Sequence, residues 1–197
     1  KEKVSLTKIE ILKNDLNTDS SLFFYISQIF FENGYFSECS DFIKSYIEEN
    51  EETRDLALYI YSLNSQKTEN QVELLRLLKK WRDNFSFNFD FLSIELELRQ
   101  ILKDWEEVYQ IALYGYKYLP DNESVFTTLI LATSWLEKSI EIEKYLSKIR
   151  EFKFKSSENL LRIVSVLLKF KYFDDALELL YSKALNKFDA LARQNFF

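Results

Sequence analysis

The sequence predicts an all-α fold, built as a solenoid of about five stacked helical pairs. Three observations carry that expectation. Its 197 residues include only two Gly and one Pro, against usual shares of about 7% and 5%, so the punctuation of a turn-rich β fold is missing and long helices are favoured. Large apolar residues recur at a step of 34, at Phe23, Leu58, Leu92, Phe126 and Leu160, with one turn lengthened by a residue. In the same frame two further columns read Cys39, Leu74, Val108, Ile142, Ala176 and Ile43, Leu78, Ala112, Leu146, Leu180. No polar residue enters any of the three, although only 47% of the chain is apolar. A period of 34 holds two helices of about 13 residues and two short turns.

Taken in order, residues 1–19 read as a partial repeat or N-terminal capping helix, 20–186 as the array of helical pairs, and 187–197 as a partial repeat or C-terminal capping helix. Thr68 with Gln71, and Asp104 with Glu107, have the spacing of capping boxes that open the second helix of a pair. Asp121 and Asn122 are placed to cap the helix after Pro120. Between 89 and 102 the strict 34-residue frame turns Glu95 and Arg99 inward, whereas a shift of one turns Phe91, Ile94, Leu98 and Ile101 inward. Because burying ions costs desolvation, the shifted frame is expected, with Glu95 and Arg99 as an exposed pair one helical turn apart.

The stretch "KDWEEVYQIALYGYKYLPDN" places Trp105, Val108, Ala112, Gly115 and Pro120 at fixed spacings. It resembles the tetratricopeptide repeat family, in which an aromatic opens the second helix, small or aliphatic residues follow three, seven and ten positions later, and Pro closes the unit. Residues around Cys39 and Ala176 match more loosely, and 20–54, 89–122 and 157–190 fit best. Ala112 and Gly115 would let neighbouring helices approach closely, and Pro120, lacking an amide hydrogen, cannot extend the helix. The chain departs from the pattern in keeping one terminal Pro and in placing Lys183 where a small residue is usual. The resemblance implies a right-handed α-α superhelix whose first helices line a concave groove.

The missing residues limit the chemistry. With no His the commonest general base and neutral metal ligand are absent. Cys39 therefore has no imidazole partner, and no Cys/His cluster for zinc exists. Neither Gly34 nor Gly115 lies in a phosphate-binding loop. The 32 Asp and Glu offer no pair that spacing singles out, so no enzyme, no cofactor and no metal is expected. A single Cys suggests a reducing, cytoplasmic setting. The apolar runs, about four or five residues long, fall far short of a membrane span. "KEKVSLTKIE" lacks the apolar stretch of a secretory leader.

Net charge of -6 opposes a sequence-independent grip on nucleic acid. The acidic run Glu48 to Asp55 and the basic stretch Lys144 to Lys155 read as solvated faces. What remains is surface, with 17% aromatic residues available beyond what the core needs as anchors for a protein or peptide. By position in the resembled repeat, the partner-binding residues are Phe24, Gln28, Phe31, Tyr59, Leu63 and Gln66, continued by Thr127, Leu131, Ser134 and then Leu161, Ser165, Leu168. The family's Lys, Asn and Arg clamp for a terminal carboxylate is replaced by Phe24, Gln28 and Leu63, so chaperone tails are not expected ligands. A non-catalytic protein-binding scaffold follows. The alternatives are a regulatory arm of a larger protein and an RNA-binding helical repeat, the latter opposed by the acidity.

Overall fold

The computed structural model describes residues 4–9, 20–47, 53–65 and 70–181. Their regular structure is entirely helical, with no strand among the described residues. In order the helices are α1 (described over 6–9), α2 (Ser20–Glu32), α3 (Phe36–Ile47), α4 (Thr53–Ser65), α5 (Gln71–Asn84) and α6 (Phe89–Ile101). There follow α7 (Trp105–Tyr118), α8 (Glu123–Trp135), α9 (Ser139–Glu151), α10 (Ser157–Lys169) and α11 (described over 173–181). The all-α expectation holds. Helices α6, α8 and α10 begin at 89, 123 and 157, and α7, α9 and α11 at 105, 139 and 173, so both series advance by 34.

A repeated turn separates the two helices of a pair. Gly34, Lys103, Glu137 and Lys171 all have positive φ, between 54° and 82°. The next amide in each case reaches back five residues: Tyr35 N to Phe30 O (3.0 Å), Asp104 N to Arg99 O (3.0 Å), Lys138 N to Thr133 O (3.1 Å) and Tyr172 N to Leu167 O (2.9 Å). This is the Schellman ending, which satisfies carbonyls the helix leaves free. Only the first of the four uses Gly, so the other three carry a Cβ in a conformation that costs about 1–2 kcal/mol.

The capping expectations divide. Asn122 Oδ1 accepts from Val125 N at 3.1 Å and so caps α8 as anticipated. Asp104 makes no cap hydrogen bond. Its carboxylate takes Arg99 Nη1 at 2.6 Å instead, because the Schellman turn brings the two together. Thr68 lies outside the described residues.

The chain divides into two compact units, Lys1–Ile94 and Glu95–Phe197, with the division inside α6. In the first, α3 packs on α2 and α4, α4 also packs on α5, and α2 touches α4 directly. In the second, α8 packs on α7, α9 and α10. Each unit thus shows a second helix lying on the first helix of the next pair, and first helices of successive pairs in contact. That is repeat-like packing.

Burial follows the sequence columns unevenly. Cys39, Leu74, Val108, Ile142 and Ala176 are all buried, as are Ile43, Leu78 and Ala112, while Leu146 is half-buried and Leu180 exposed. Ala112 and Gly115 are buried on α7, whose packing on α8 is the most extensive in its unit. The second unit's core joins Phe126, Ile130, Ile142, Ile149, Leu160, Ile163 and Leu167.

The shifted frame expected for α6 is overturned. Glu95 is 1% exposed and Ile101 63% exposed, with Phe91, Leu92 and Leu96 buried and Ile94 and Leu98 half-buried. Moving the frame by one residue rotates a helix by about 100°, which would have turned Leu92 and Leu96 away from the core to gain Ile101. The cost of drawing Arg99 inward is offset in part by its ion pair with Asp104 rather than avoided, and Glu95 is buried instead of exposed.

Candidate functional site

The residues expected to line a groove separate into two groups. On α2, Phe24, Gln28 and Phe31 lie along one side of the helix and are half-buried. Phe24 meets the exposed Tyr25 ring edge-on (6.1 Å between centroids), Phe31 meets Phe36 likewise (5.3 Å), and Gln28 Nε2 donates to Glu32 Oε1 at 2.8 Å. Tyr59 and Leu63, by contrast, are core residues, 4% and 5% exposed. The reason is the position of α4, which has α2, α3 and α5 all packed on it. Tyr59 and Leu63 therefore present no surface to a partner, while Gln66 lies outside the described residues.

The same division runs through the second unit. Thr127 and Ser134 are buried and Leu131 half-buried on α8, which has three helical neighbours, whereas Leu161, Ser165 and Leu168 are exposed on α10. A helix position that faces outward in one pair is covered by neighbouring helices in another.

The sequence did not single out Trp135. It ends α8 with 59% of its surface exposed, yet one side of its ring is stacked on Trp105, with centroids 5.1 Å apart and planes 11° from parallel. Lys169 Nζ stands 5.8 Å from the Trp135 centroid and donates to Ser134 O at 2.6 Å. Nearby, Lys138 Nζ sits 4.0 Å over the Tyr109 ring and 3.5 Å from Glu106. The Tyr109 phenol is pushed well above its ordinary range by burial first, then by its hydrogen bond to Glu141 and the negative charge there. The signal in the sequence was the column Ile101, Trp135, Lys169 at a step of 34. It mixes residue types, and a search for uniform columns passes over it.

The charged stretch Lys144 to Lys155 is largely exposed, as a solvated face should be, and two of its cations reach charges on neighbouring elements. Lys148 Nζ pairs with Asp121 at 2.5 Å, and Arg150 pairs with Asp175 on α11. At the start of α8, Glu123 accepts from Lys155 N (2.8 Å), Ser156 N (2.9 Å) and Asn159 Nδ2 (3.1 Å), which fastens the entry of α10.

Burial pushes the Cys39 thiol up to about 11, against the opposing effect of its hydrogen bond from Ser62, which leaves it a protonated and unreactive core group at neutral pH. Among the described residues no group of three or more His, Cys, Asp or Glu is placed to hold a metal ion. No helix among them is long and apolar enough to cross a membrane.

Comparison with protein-family models, with curated proteins and with solved structures finds no match. A functional reading therefore rests on the residues and geometry above.

Proposed function

We propose that the chain is a non-catalytic, cytoplasmic protein- or peptide-binding scaffold, a right-handed tetratricopeptide-like superhelix of about five helical pairs. The 34-residue step of the helix starts from α6 onward and the repeated Schellman turns support the architecture. One observation carries the binding role: Trp135 is held in place by Trp105 and still leaves more than half its surface open. A ring fixed before binding loses little conformational entropy when a partner covers it, and Trp is among the residues that most often dominate interfaces. Phe24, Gln28 and Phe31 form a second contact surface on α2, whereas Tyr59 and Leu63 belong to the core.

Selection of peptides from a random display library on the immobilised protein tests the proposal. Enriched peptides should share large apolar anchors, and should bind less well to Trp135→Ala or to Phe24→Ala with Phe31→Ala at unchanged helicity. Absence of enrichment, or peptides indifferent to both variants, would overturn it.

A further inference from the structure

We draw no further inference here: the strongest candidate, the surface patch of exposed apolar residues on α10 and α11 (Leu161, Leu168, Phe173 and Leu177), carries nothing because nothing among the described residues shows what covers it.

Discussion

Replacing Glu123 by Ala removes the acceptor for three hydrogen bonds at once, and the structure sets the size of the effect. Lys155 N is exposed and can turn to water, so its loss costs little. Ser156 N and Asn159 Nδ2 are partly buried. Hydrogen bonds to a charged group contribute about 1.5–3 kcal/mol when buried, and less where water competes. A total loss of about 2 kcal/mol is expected. Glu123→Gln should fall between, because one amide oxygen can still accept while the amide NH2 opposes a second donor. Urea unfolding followed by circular dichroism gives the free energies, and hydrogen exchange should show the Ser156 amide losing protection. Glu123→Ala with Asn159→Ala should cost less than the two single changes added, since they share one bond. Unchanged stability in Glu123→Ala, or strict additivity, would mean that Glu123 does not fasten α10.

Three further outcomes follow from other parts of the chain. Glu137→Gly should stabilise by about 0.5–1 kcal/mol, the relief of a left-handed Cβ less the added freedom of Gly when unfolded, and Gly34→Ala should lose about 1 kcal/mol; a destabilised Glu137→Gly, read by thermal melting, contradicts the turn geometry. Ala112→Trp should lose about 1–3 kcal/mol or more by overpacking the buried side of α7, and an unchanged urea midpoint would refute that packing. The Cys39 proton should make the fold alkali-sensitive. Its folded thiol ionises near 11 against an ordinary 9.0, so the protonated form is favoured in the fold; the associated stability is complete below about pH 8.5, declines as pH rises through that range towards 11, and amounts to about 2–3 kcal/mol. Burial pushes Tyr61, Tyr109 and Tyr145 the same way. Stability measured from pH 8 to 11 should fall less steeply in Cys39→Ala, and equal slopes would contradict the assignment.

One column of the second helices was legible throughout. Cys39, Leu74, Val108, Ile142 and Ala176 needed only a small or aliphatic residue every 34 positions, and all are buried. First helices were harder to read. They have neighbours on several sides, and their buried faces include hydroxyls that hydropathy marks as exposed. Ser27 and Thr133 solve this locally by donating to Phe23 O and Leu129 O on their own helices, which lets a polar side chain enter a core without a distant partner; Ser62 lies within reach of both Leu58 O and Cys39 Sγ. The same crowding puts Tyr59 and Leu63 out of a partner's reach. Glu95 and Arg99 show the other limit. The desolvation cost was read correctly as a cost, but Asp104 sits across a turn whose left-handed residue is Lys103, and nothing in the local sequence announces that conformation. Trp135 was hidden by its company, because an exposed residue need not repeat as a core column must.

The proposed binding role rests most directly on Trp135. Isothermal titration of a library-selected peptide into the unmodified chain and into Trp135→Ala measures its share. A rigid aromatic anchor is worth about 2 kcal/mol, so the account predicts that the dissociation constant rises about 30-fold while the melting temperature barely moves. An unchanged dissociation constant would contradict it.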